Sequence, residues 1–211
     1  MSRWRRHKQI WCNWPARPIG LMEIIGGSYL SASSHITYKY LLNSLNQNGI
    51  AIHTWNYLPS LDHQAQATQA WKDFRTCKKI LESRVGIGLN PIKIGHSLGC
   101  KLHLLAPDGG RNSKSSIFIS FNNFNINRSI PAVSKLSSKL NFEAEFNPSS
   151  KETLRLIYQQ YIQINNLIIN FSNDNLDQSK VLLKCLKRRE KDNSRNIELV
   201  GNHLTPISAG L

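Results

Sequence analysis

No stretch of the sequence is long and apolar enough to cross a membrane. The best candidate, Ile19 to Ile25, is cut by Glu23, whereas a spanning helix needs about 20 apolar residues in succession. Charge is sparse too. Asp, Glu, Lys and Arg make up 19% of the chain, too little to hold it disordered by self-repulsion. Internal repeats and fibrous periodicity are absent. The four cysteines (Cys12, Cys77, Cys100, Cys185) form no Cys-x-x-Cys pair, and no histidine stands at zinc-finger spacing. Free thiols in a reducing compartment are therefore expected, with no metal and no cofactor. What remains is a compact domain over residues 1–211, since 211 residues with 40% hydrophobic content suit one core.

Acids are the scarcest class that matters: 13 against 27 Lys plus Arg, a net charge of +14. Such a surface attracts phosphates or anionic lipid. The cations are spread out rather than blocked, and Asn, Ile and Lys abound as in compositional drift. Two concentrations stand out. Arg3, Arg5, Arg6 and Lys8 sit among Trp4, Trp11 and Trp14, and a second group runs from Lys180 to Lys191 near an expected helix end, where cations favour the helix dipole. Neither is a nucleic-acid motif, so no nucleic-acid partner is expected, and peripheral contact with an anionic membrane is the interaction this charge would suit. Ile10 to Pro18 is no signal-peptide core, so no secretory signal is expected.

Short apolar runs alternate with longer amphipathic ones, the signature of α/β layering. Strands are expected at Met22–Ile25, Ile50–Trp55, Ile92–Ile94, Ser115–Phe121, Asn166–Ser172 and Asn196–Val200. Helices are expected at Ser31–Asn46, Asp62–Val85 (capped by Asp62), Leu98–Leu105 and Val181–Lys187. The alternation implies a mainly parallel sheet buried on both faces. The stretch from Asn122 to Gln163 has no strand signal and reads as a helical, cap-like insertion, with helices around Val133–Lys139 and Lys151–Gln163. Its Ile130, Phe142, Phe146, Leu154 and Ile157 would give an apolar wall.

The chemistry concentrates in Gly95-His96-Ser97-Leu98-Gly99, between an expected strand and an expected helix. That is the context of a nucleophile elbow. An abrupt strand-to-helix turn strains the serine and leaves room only for glycines beside it. Partners should follow in the order serine, acid, histidine. Only His103 and His203 lie beyond Ser97, and His103 rides the nucleophile's own helix away from the hydroxyl, leaving His203 as the base. Asp174, just past the strand ending near Ser172, is favoured as the acid. Asp177 is the fallback and otherwise reads as a helix cap. Asp108 sits in Pro107-Asp108-Gly109-Gly110 and should make a turn. The oxyanion donors should be the N–H of Leu98 and that of Gly27 or Ser28. Gly26, His53, Tyr57, His63 and His96 are candidates for lining the pocket.

The blocks Ile24-Ile25-Gly26-Gly27-Ser28-Tyr29-Leu30, Asp62-His63-Gln64-Ala65-Gln66-Ala67, Gly95-His96-Ser97-Leu98-Gly99-Cys100-Lys101-Leu102-His103-Leu104-Leu105 and Gly201-Asn202-His203-Leu204-Thr205-Pro206 resemble family 1350 of the domains of unknown function, found in cyanobacteria and chloroplasts. The resemblance covers nearly the whole chain after about Trp14. It implies an α/β-hydrolase fold, with nucleophile, acid and base on Ser97, Asp174 and His203, and a cyanobacterial cytoplasm or plastid stroma. The expected function is a serine hydrolase of a small-molecule ester or thioester. The rival expectation is a catalytically silent scaffold that binds lipid or protein through its basic surface. Two departures stand out: six strands are legible where that fold usually has eight, and only Leu204–Leu211 follow the histidine in place of a final helix.

Overall fold

The computed structural model describes residues 4–125 and 145–208. One eight-stranded sheet organises them: β1 (Arg5–His7), β2 (Ile10–Asn13), β3 (Gly20–Ile25), β4 (Ile50–Trp55), β5 (Ile92–His96), β6 (Ser115–Ile119), β7 (Asn166–Phe171) and β8 (Arg195–Leu199), in the order β1-β2-β4-β3-β5-β6-β7-β8. β1 pairs with β2 and β2 with β4 antiparallel. All other neighbours are parallel. The described helices are α1 (Ser34–Thr37), α2 (Lys39–Gln47), α3 (His63–Val85), α4 (Leu98–Leu104), α5 (Ser150–Gln160) and α6 (Ser179–Leu186), with a 3-10 turn at Leu30–Ser33. None of them is long and apolar enough to cross a membrane.

Side-chain alternation divides the sheet between two layers. Ile24, Ile52, Ile94 and Ile119 point to one face, where Leu42 of α2 and Tyr38 pack on them. Ile10, Ile25 and Trp55 point to the other, under Phe74 and Cys77 of α3 and Leu102 of α4. On that same face Phe118 and Ile168 meet Ile157 of α5 and Leu182 and Leu186 of α6. Local chemistry fixes the helix ends. Asp62 accepts the Ala65 N–H at 2.9 Å to cap α3, and Gly86, at φ +72°, closes it in the left-handed conformation.

The sheet departs from the sequence reading at its start. β1 and β2 supply the two strands that were not legible, and both lie in the basic, Trp-rich opening of the chain. Ile10 and Cys12 turn inward, while Arg5 and Arg6 are exposed on the outermost strand, where charge discourages pairing with another sheet edge. The expected helix Ser31–Asn46 is broken into three pieces, with Tyr38 at φ −107° between α1 and α2. α5 stops at Gln160 because Tyr161 leaves helical geometry and buries its hydroxyl between Ser116 and Asn166. Asp108 does more than make its turn: it accepts the Gly110 N–H and also forms a buried ion pair with Lys93 at 3.1 Å. Residues 126–144, which include Ile130, Phe142 and the expected helix around Val133–Lys139, lie outside the described residues.

Candidate active site

Ser97 sits between β5 and α4 with φ +54° and ψ −121°, a conformation L-residues avoid unless the surroundings enforce it. The enforcement comes from close backbone packing. A Cβ on Gly95 would lie 2.5 Å from the Cα of Cys100, and one on Gly99 would lie 2.0 Å from the carbonyl oxygen of Ile25. Only glycine fits at either position, so the end of β3 can press against the start of α4. The Ser97 N–H donates to the Ile119 carbonyl at 2.9 Å, which anchors the turn to β6.

The hydroxyl of Ser97 meets Nε2 of His203 at 3.0 Å, and Nδ1 of His203 meets the Asp174 carboxylate at 2.9 and 3.1 Å. A carboxylate only accepts, so Nδ1 carries the ring proton and Nε2 is left to accept from the serine. Asp174 is fully buried in its side chain and His203 nearly so. Burial pushes the Asp174 carboxyl up, but the nearby Ser120 hydroxyl, the His203 ring and the Leu176 N–H together outweigh it and hold the group below its ordinary value. Asp177 makes no such contact. Its carboxylate accepts from the N–H and hydroxyl of Ser179 at the head of α6, and burial raises its pKa.

Residues 204–208, beyond His203, are tied down. Ile207 is buried in the α2-side core. The Ser208 N–H donates to the Thr37 carbonyl at 2.7 Å, and the Tyr40 N–H donates to the Ser208 hydroxyl at 3.0 Å. These contacts with α1 and α2 fix the base loop where a final helix was missing from the sequence reading.

His96 does not face the cavity. It is buried with Nε2 against the backbone carbonyl of His203 at 2.9 Å and Nδ1 against the Tyr38 hydroxyl at 2.8 Å. The carbonyl can only accept, so Nε2 is protonated, Nδ1 accepts from Tyr38, and the Tyr38 oxygen is left to accept the Gly27 N–H at 2.9 Å. Burial and the neighbouring His203 lower the His96 pKa to about 3, so the ring stays neutral. This relay corrects the expectation for Gly27, whose N–H is engaged and unavailable to an oxyanion. Leu98, at the first turn of α4, and Ser28 line the cavity together with Gly27.

The cavity over Ser97 has a volume of about 590 Å³ and a largely apolar lining that includes Leu61, Leu98, Phe124 and Phe146. Of the five pocket candidates it takes only His63. Gly26 lies beneath it, where a Cβ would strike the Tyr38 ring at 2.5 Å. The Tyr57 hydroxyl donates to the Gly26 carbonyl at 3.1 Å, within the core. His53 points into the sheet's other layer, beside Cys12 and Cys77. Its ligand atom and theirs lie within 4.8 Å of one another, the one described group with the chemistry to hold a metal ion. The two thiols are hydrogen-bonded to each other at 2.8 Å, a contact that lowers the Cys77 pKa and raises that of Cys12. Lys101 lines the cavity too, a residue that site reasoning passed over because it reads as one more helix position.

The sequence model of a family described as a protein of unknown function, DUF1350, matches residues 3–211. No curated protein matches the sequence. Among solved structures the chain is similar to fluorophosphonate-binding serine hydrolase F of Staphylococcus aureus (TM-score 0.61, 13% identity, covering 96% of this chain and 91% of that chain). It is also similar to esterase 2 of Thermogutta terrifontis (TM-score 0.64, 12% identity, 99% and 86%) and to Est1E from Butyrivibrio proteoclasticus (TM-score 0.59, 15% identity, 96% and 90%). At these identities the likeness speaks for the architecture: the sheet order and layering are those of an α/β-hydrolase fold.

Proposed function

The chain belongs to the DUF1350 family, and from that premise we propose that it is a serine hydrolase cleaving carboxylic esters or thioesters. The observation that carries this reading is the unbroken hydrogen-bond line from Asp174 through His203 to the strained Ser97. His203 Nε2 takes the hydroxyl proton as Ser97 Oγ attacks the acyl carbon, and Asp174 holds the ring in the required tautomer and stabilises the imidazolium. The carbonyl oxygen becomes negative and is met by the N–H groups of Leu98 and Ser28, each donor worth about 2.7–4 kcal/mol. His203 then returns its proton to the departing alcohol or thiol. A water molecule, deprotonated by the same ring, attacks the acyl-enzyme, and His203 passes that proton to Ser97 Oγ as the bond to the acyl carbon breaks and the acid leaves.

The strain at Ser97 serves this chemistry by holding Oγ clear of its own backbone at a helix start, where the local dipole favours negative charge. The apolar cavity wall suits an acyl chain. The test is labelling of the folded protein with a fluorophosphonate. The expected result is one adduct, on Ser97, absent from Ser97→Ala and strongly slowed in His203→Ala; wild-type protein that stays unlabelled would sink the reading.

A further inference from the structure

Among the described residues the other buried lysine comes with an acid: Lys93 is paired with Asp108, and the partly buried Arg189 is likewise paired, with Asp192. Lys101 breaks the pattern. It is 1% exposed, yet among the described residues its ammonium has one hydrogen-bond acceptor, the Pro148 carbonyl at 3.0 Å, with the Phe146 ring 5.7 Å away. Among the described residues no carboxylate lies within ion-pair reach of it; Glu145 acts only through its longer-range field. An ammonium taken out of water without a partner anion is costly, and burial lowers the Lys101 pKa to about 7, so an anion bound beside it would restore its charge.

The place where Lys101 is buried indicates what that is. It lines the same cavity as Ser97, four residues further on, about 6 Å along the helix direction. His63 lines the cavity as well, is 3% exposed, and has an Nδ1 with no hydrogen-bond partner. Both residues border that one cavity, and burial first, with the nearby Lys101 second, lowers the His63 pKa to about 3. A mostly apolar cavity that also holds a lysine with no acid partner among the described residues and an imidazole Nδ1 with no hydrogen bond among them matches a ligand that is hydrocarbon along its length and anionic at one end.

We propose that Lys101, assisted by His63, is a carboxylate-binding subsite, and that the preferred acyl group is a short dicarboxylic half-ester or half-thioester, from malonyl to glutaryl. This rests on the hydrolase reading for the reaction, but not for the binding. The carbonyl to be cleaved lies over Ser97 while the distal carboxylate pairs with Lys101. Because the lysine is one helical turn from the nucleophile, longer diacids overshoot it and monoacids leave it unpaired.

The experiment has a binding arm and a turnover arm. In the first, thermal unfolding of the full chain is followed with glutarate or pentanoate, acids of equal length that differ in one carboxylate. Glutarate is expected to raise Tm more than pentanoate, and the difference should vanish in Lys101→Met. In the second, glutaryl and pentanoyl thioesters of N-acetylcysteamine are compared, with kcat/KM favouring glutaryl and that preference falling about tenfold or more in Lys101→Met, as when one partner of a buried charge pair is removed. Equal effects of the two acids on the wild-type protein overturn the subsite without any variant, so a Lys101→Met that fails to fold does not shield it. A glutarate preference that persists in Lys101→Met also overturns it. Glutarate binding through Lys101 in a protein whose Ser97 resists fluorophosphonate would leave the subsite standing and remove the hydrolase reading.

Discussion

The ring of His96 holds the backbone of His203: Nε2–H donates to the His203 carbonyl at 2.9 Å, across 107 residues of chain. The residue before Ser97 therefore positions the loop that carries His203. Its own orientation is set by the Tyr38 hydroxyl, which also takes up the Gly27 N–H. Tyr38→Phe removes both hydrogen bonds and leaves the ring packing in place. A stability loss of about 1 kcal/mol per bond is expected. The fluorophosphonate labelling rate of Ser97 should fall further, on the order of tenfold to a hundredfold, because small misplacements of a base are amplified in rate. A labelling rate that stays at the wild-type level, alongside the stability loss, would show the relay to be structural only.

Two aspartates three positions apart should separate cleanly. Asp174 touches the His203 ring, while Asp177 touches only Ser179 at the head of α6. Asp174→Asn should lower kcat by roughly 10⁴, the consequence of offering the imidazole the wrong tautomer, with little change in Tm. Asp177→Ala should behave in the opposite way, costing about 1 kcal/mol as a lost helix cap while Ser97 labels normally. Paired melting and labelling measurements on the two variants decide it. Reversed phenotypes would transfer the role to Asp177.

Local signals account for what was legible in the sequence. The elbow shows because Gly95, Ser97 and Gly99 lie within five residues, and elimination among the histidines leaves His203. Asp174 stands just beyond a well-patterned strand, and the structure brings all three within hydrogen-bond distance. The relay was hidden because Tyr38 lies inside what reads as one continuous helix, and its hydroxyl reaches Gly27 and His96 only because the helix breaks there. β1 and β2 were hidden because three- and four-residue strands bearing Arg5, Arg6 and Trp11 have little periodicity to read. His53 was misplaced for a simpler reason. In β4 it shares a face with Trp55 and pairs in register with Cys12, so strand alternation alone would have turned it away from the cavity.

Acid should destabilise the fold from near neutrality downward. His63, His96 and His103 are buried and held at about 3, in each case chiefly by burial. In the unfolded chain each titrates near 6.5. Between these values the unfolded state binds protons that the folded state refuses, so stability falls as pH drops below about 6.5 and continues to fall towards 3. Each histidine contributes about 1 kcal/mol per pH unit once well below 6.5. Melting curves from pH 7.5 to 5 should show the decline. His103→Gln, remote from the cavity, should flatten it by roughly a third, its share among three groups. A Tm constant between pH 7 and 5 would contradict the burial of neutral rings.

The contact between β3 and α4 ties the elbow to the oxyanion side of the cavity. Gly99 is the point of contact: a Cβ there would lie 2.0 Å from the Ile25 carbonyl oxygen and 2.7 Å from that of Gly26. Both oxygens belong to backbone, which cannot swing aside like a flexible side chain. Gly99→Ala must therefore push the strand end, with Gly27 and Ser28 just beyond it, away from Ser97. A loss of about 3 kcal/mol is expected, at the upper end for overpacking, together with loss of fluorophosphonate labelling. Gly86→Ala is the control. It introduces a side chain at φ +72° into open space and should cost about 1 kcal/mol from the left-handed backbone alone, with labelling intact. If Gly99→Ala labelled as fast as Gly86→Ala, the packing of β3 on α4 would be shown to hold the fold without setting the distance between Ser97 and the proposed donors.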